Sequence, residues 1–220
     1  RKHQVTGMVA RKPYWITCLC GVALALAAGC ETQPGVGSAF TSGGTAGGQN
    51  VNQPPGNQPS TSVNATQLEQ LSLERINRAR LRPAQEAAMN GIAIDEGAPG
   101  RLDATPKQPV ALNTFLNQSA KGHSRDMLAQ NSRVDKDKPD SPFKRMNDAG
   151  YLFVTAGENL AWRGTTGNVN ESQFVEQQHI DLFVDSDIVG RGHRLTMLNG
   201  AFREVGIGVV RGFVTNYGTR

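Results

Sequence analysis

Glu204-Val205-Gly206-Ile207-Gly208-Val209-Val210 alternates large and small side chains with period two, the pattern of a β-strand. Its two glycines fall on one face, which predicts that a helix or another backbone approaches closely there. Phe213-Val214-Thr215 reads as a return strand, joined by a hairpin through Arg211-Gly212. A second short apolar run, Tyr151-Leu152-Phe153-Val154-Thr155, reads as another strand.

Upstream of these runs the periodicity is helical. Thr66-Gln67-Leu68-Glu69 has the form of a capping box. Leu68, Leu71, Ile76 and Ala79 share one arc of the helix that follows, with Arg75, Arg78 and Arg82 facing elsewhere, and Pro83 ends or kinks it. A second helix is expected from about Asn113 to Gln130, its stripe formed by Leu116, Ala120, His123 and Met127. A third opens with Ser141 as N-cap and Pro142 in its first turn, and leaves through Gly150. A fourth covers roughly Ser172 to Val184, with Val175, His179, Leu182 and Phe183 on one side. Helices first and strands later give an α+β class with a small antiparallel sheet.

The first 64 residues are of a different kind. Arg1, Lys2, Arg11 and Lys12 precede an apolar run that starts near Tyr14-Trp15-Ile16 and closes with Ala27-Ala28-Gly29 ahead of Cys30. A basic start, an apolar stretch of about 15 residues and small residues at its end describe a secretory leader rather than a fold element. The run is short of the ~20 residues that span a bilayer. Cys30 in this position resembles the lipid-bearing cysteine of bacterial lipoproteins. The expected organisation is a leader over 1–29, a linker over 30–64 and a folded domain over 65–220. The linker is Gly, Ser, Thr, Asn, Gln and Pro with almost no large apolar residue. A coil of this length has an rms reach of about 30 Å.

Four of the 23 basic residues and none of the 19 acidic ones lie in residues 1–29, so the net charge of +4 belongs to the leader. The remaining chain is neutral and offers no electrostatic footprint for nucleic acid. All three cysteines, Cys18, Cys20 and Cys30, lie in or directly after the leader, so the domain must rest on a packed core.

The residues that could carry chemistry are few. His123 sits in a stripe patterned for burial, where each ring nitrogen needs a partner. A satisfied structural histidine, a metal ligand and an acid–base group all fit. His193, in Gly190-Arg191-Gly192-His193-Arg194, reads as an imidazole exposed near a helix start or as an ordinary loop histidine. His179 reads as packing. Glu158, in Gly157-Glu158-Asn159-Leu160-Ala161-Trp162, must be paired if buried. Otherwise it faces solvent at a strand edge. The sequence lacks His-Glu-x-x-His, Gly-x-Ser-x-Gly and a phosphate loop.

Four segments in order resemble the CAP superfamily of cysteine-rich secretory, antigen 5 and pathogenesis-related proteins, also called SCP-like domains, and its bacterial branch in particular. They are Ile76-Asn77-Arg78-Ala79-Arg80 with Pro83, His123-Ser124-Arg125-Asp126-Met127, Gly157-Glu158-Asn159-Leu160-Ala161, and Gly192-His193-Arg194 leading to Leu198-Asn199 and Glu204–Gly208. The resemblance implies a three-layer α-β-α sandwich and a cleft where two histidines and two acids converge. His123 and His193 match the paired histidines, which in some relatives hold a divalent metal, often zinc. Glu158 matches the first acid. Asp185 is the choice for the second, with Asp181 and Asp187 as alternatives. The chain departs from the pattern in having no Trp shortly before Gly190 and in Thr196, where Asn is common. One further strand is expected beyond Arg220.

The expected function is a lipid-anchored protein of the cell envelope or surface, exported across the inner membrane and held there by Cys30. It binds a lipid, sterol, peptide or protein in its His/Glu cleft, with zinc or another divalent cation as candidate cofactor. The alternative is a metal-assisted hydrolase of peptides or envelope polymers, with Glu158 as general base.

Overall fold

A computed structural model describes residues 66–129, 141–165 and 170–213, together with two short N-terminal strands, β1 (Pro13–Cys18) and β2 (Ala23–Leu24). Cys30, the expected linker, most of the expected leader, the end of the expected return strand and everything after it lie outside the described residues.

The described chain then runs α1 (Gln67–Leu81), α2 (Pro83–Met89), β3 (Ala111–Leu112), α3 (Thr114–Ala129), α4 (Pro142–Asp148), β4 (Thr155–Ala156), β5 (Ala161–Gly164), α5 (Glu171–Val184), α6 (Gly192–Met197), β6 (Glu204–Val205) and β7 (Gly208–Phe213). The mixture of helices with a small open sheet is α+β. Local signals account for the helix ends. Thr66 and Glu69 close a reciprocal capping box on α1. Ser141 caps α4 through Lys144 N, and Asn170 caps α5 through Gln173 N. Pro83, rather than only ending α1, opens α2 from its first turn.

The strand expected over Glu204–Val210 is broken at Gly206-Ile207 into β6 and β7. The alternation across both is as expected. Val205, Ile207 and Val209 face a core with Ile76, Ala79, Leu182, Phe183, Met197 and Phe202. Gly206 and Gly208 face α3, where a Cβ on Gly206 would fall inside the backbone of Leu116 and one on Gly208 would lie 2.5 Å from the Ala120 carbonyl carbon. Helices thus cover both faces: α3 on one, α1, α5 and α6 on the other.

Two expectations need correction. Arg211-Gly212 is not a hairpin turn, because β7 runs straight through it to Phe213. Gly212 is small because Leu128 of α3 packs against it, a Cβ there lying 2.5 Å from Leu128 Cδ2. Of Tyr151–Thr155 only Thr155 enters a strand, since Tyr151 instead buries its ring with Leu116 and Met146. The three-stranded sheet and the β2–β4 pair are antiparallel, as expected, and the separate two-residue pair of β3 with β6 runs parallel.

The N-terminal run contributes two short strands to the sheets of the full chain. In the full chain β1 is the middle strand of a three-stranded sheet, antiparallel to β5 and to β7. Tyr, Trp, Ile and Thr are good strand formers, so an apolar run of this composition suits a sheet interior. Cleavage before Cys30 would remove β1 and β2 and leave β5 and β7 without the strand between them.

Candidate functional site

His193 is the second residue of α6, and the turn before it is unusual. Both Asp185, which ends α5, and Arg191, which precedes α6, lie in the left-handed region with φ of 54°. The left-handed turn at Asp185 aims its carboxylate at the start of α6. There Oδ2 accepts from His193 N at 2.8 Å, and Oδ1 is 2.8 Å from His193 Nδ1. Asp185 is almost fully buried, whereas the His193 side chain keeps 30% of its surface. Opposite an ionised carboxylate, the neutral imidazole carries its proton on Nδ1 and presents the Nε2 lone pair. Among the three aspartates considered for the second acid, Asp185 is the one on His193. Asp181 pairs with Arg163 at the surface, and Asp187 is exposed.

Glu158 lies in the segment between β4 and β5, which runs along α6. Gly157 has no room for a side chain, because its Cβ would meet Thr196 Cγ2 at 2.9 Å. Asn159, buried, donates to the His193 carbonyl at 2.9 Å. Glu158 itself is taken by Arg145 of α4, whose Nη2 donates to both carboxylate oxygens at 2.7 and 2.8 Å. His123 is buried in the middle of α3, and the neighbouring Ser124 hydroxyl donates to Gly208 O. α4 packs on α3, so the elements carrying His123, Arg145–Glu158 and Asn159–His193 touch in sequence.

Among the described residues no three His, Cys, Asp or Glu side chains gather as a metal-holding group. Two paired units stand out, Asp185–His193 and Arg145–Glu158, and His123 is buried in α3. A two-histidine site with open positions asks only for His123 and His193. The donor set at His193 fits zinc, since a carboxylate on one ring nitrogen fixes the tautomer in which the other can ligate.

Sequence reasoning missed a second buried polar group. His179, read as packing, has Nε2 at 2.9 Å from Glu86 Oε1, and both residues are almost fully buried. Arg78 closes the trio, donating from Nε and Nη2 to Glu86 at 2.7 Å each. Burial pushes the Glu86 carboxyl up. The hydrogen bonds and charges of His179 and Arg78 outweigh it and pull the group down to about 2. A cavity of about 410 Å³ lies on this side of α1, lined by Leu73, Leu81, Pro109, Arg78 and Arg82 among others. None of His123, Glu158, Asp185 and His193 borders it.

Two fully buried arginines also escaped the helical-wheel reading. Arg80 donates to the carbonyls of Gln108, Met197, Asn199 and Phe202. Burial, with Arg203 nearby, lowers it to about 10, so it stays charged at neutral pH. Arg194 grips the carbonyls of Phe183, Val184, Ile94 and Glu96 and so fixes the end of α5 beneath Asp185. The only signal for either was its place in a recognised segment.

The comparisons agree with this architecture. The sequence model of the cysteine-rich secretory protein family, CAP, matches residues 73–218. Among curated proteins, "Uncharacterized protein YkwD" of Bacillus subtilis (strain 168) is 30% identical over 105 residues, which is 47% of this chain and 35% of that protein. The chain thus spans about a third of the length of that relative. No solved structure matches. With the family's model covering most of its length, the chain belongs to the cysteine-rich secretory protein (CAP) family.

Proposed function

We propose that this CAP-family protein binds a ligand or protein partner in a cleft centred on His193. One observation carries the reading: a partly exposed imidazole whose Nδ1 is held by a buried carboxylate, leaving Nε2 for a ligand. A histidine with no role beyond packing would not need a buried aspartate and a left-handed turn to orient it.

Zinc is the first ligand to test. His193 and His123 would hold it, and a bound zinc would supply Lewis acidity toward a carbonyl or water. Asp185 orients His193 rather than ligating, and Arg145 balances the charge of Glu158. The hydrolase alternative asks Glu158 to accept a proton, yet both its oxygens are engaged by Arg145. Binding is therefore the better supported reading.

The proposal extends to place. The leader pattern before Cys30 and the polar run after it support export and a lipid anchor, with a tether of about 30 Å reach; the processed protein would then carry the His193 cleft without β1 and β2. No described helix is long and apolar enough to cross a membrane.

Calorimetric titration of the full chain with zinc tests the site. One site per chain, lost in the double variant His123→Ala/His193→Ala with the fold kept, is the expected result. Unchanged stoichiometric binding in that variant would remove the assigned residues. No binding by the folded wild type would leave a lipid, peptide or protein as the ligand.

A further inference from the structure

We infer that Arg191 is a positioning residue for His193, acting through the loop that carries Asp185. The inference rests on the reading of His193 as the presenting group of the cleft.

The loop from Asp185 to Arg191 turns at both ends through left-handed non-glycine residues. Such turns persist only where the surroundings impose them. At the Arg191 end the surroundings are its own side chain. Nη1 donates to the carbonyls of Asp185 at 2.9 Å, Ser186 at 2.7 Å and Ile188 at 3.1 Å. Nε reaches Glu96 O at 3.3 Å. One guanidinium therefore collects carbonyls from the whole loop and ties it to the segment after α2. The backbone adds two turns of its own, Ile188 N to Asp185 O and Arg191 N to Ile188 O.

Gly97 completes the device. Its φ is +73°, and a Cβ there would fall inside the Arg191 guanidinium. The guanidinium thus lies flat on a glycine, a fit that a side chain at 97 would block. Arg194 clamps the residues just before the loop, and Asn159 holds the His193 carbonyl.

The consequence is a closed buckle. The Asp185 side chain grips His193 at its backbone N and its ring Nδ1, while the Arg191 side chain grips the Asp185 carbonyl. Releasing Arg191 frees Asp185 to relax from its left-handed turn. The carboxylate then leaves Nδ1, and the imidazole loses its single tautomer. Arg191 touches no ligand in this scheme.

The test uses Arg191→Gly in the full chain. Glycine accepts the left-handed backbone without strain, so the variant removes the clamp and nothing else the turn requires. The readout is the pair of ¹⁵N shifts of the His193 ring at alkaline pH. Wild type is expected to show one nitrogen protonated and the other bearing a lone pair. Arg191→Gly is expected to lose that contrast, and so is Asp185→Asn. A His193 spectrum unchanged in a folded Arg191→Gly protein would overturn the inference. If that variant does not fold, Arg191→Gln supplies the readout. Failure of both to fold would make Arg191 purely structural and also overturn it. The readout needs no ligand. An intact wild-type tautomer without zinc binding would count against zinc as ligand, not against this role of Arg191.

Discussion

Glu86 is buried against Arg78 and His179, and this is where a single charge matters most. Glu86→Gln takes the carboxylate from Arg78, which is a third exposed, and from buried His179, and should cost about 2 kcal/mol. The carboxyl sits at about 2 in the folded protein against an ordinary value of 4.5. A lowered folded value means stability that is complete above about pH 4.5 and lost as pH falls toward 2. Urea midpoints between pH 7 and pH 3 should therefore fall more steeply for wild type than for Glu86→Gln. Parallel curves would show that the trio contributes no such linkage. His179 was legible as buried because burial follows helical period. Its partner was not, since Glu86 lies 93 residues away in the chain. Arg80 and Arg194 escaped for the same reason, their partners being backbone carbonyls from distant segments. The capping box at Thr66 and Glu69 was readable because both halves lie within one turn.

At the scale of elements, β6 and β7 owe their small side chains to α3. Gly206→Ala puts a methyl group into the Leu116 backbone and forces α3 outward, at an expected cost of about 2 kcal/mol. Thermal unfolding of this variant against an alanine placed at Gly122 of α3, where a Cβ meets nothing within 4 Å, gives the comparison. A Gly206→Ala protein as stable as wild type would contradict the close approach. Alternation over Glu204–Val210 disclosed this contact in advance, because large and small residues segregate by face. Gly212 reads as a turn from sequence, since composition alone cannot separate a glycine needed for a bend from one needed for packing. The strand at Tyr151–Thr155 failed for a related reason. An apolar run states that it is buried, and here the burial is that of the Tyr151 ring against Met146 and Leu116. The parallel pairing of β3 with β6 depends on a strand of two residues, too short for any period to register.

For the whole molecule, the order of segments along the chain disclosed the family more clearly than any one residue disclosed chemistry. The structure places His193 at the start of α6. Its partnership with Asp185 was open among three aspartates until the left-handed end of α5 selected one. The sheet was the least legible part, because its middle strand comes from an N-terminal run whose composition also suits a leader. Of the three described histidines, we propose that His193 and His123 serve the cleft, while His179, held by Glu86, serves the fold. The most direct test follows the imidazole resonances of the full chain while zinc is added. The signals of His193 and His123 are expected to move together and saturate at one equivalent, with His179 unmoved. Movement of His179 while His193 stays still would contradict it.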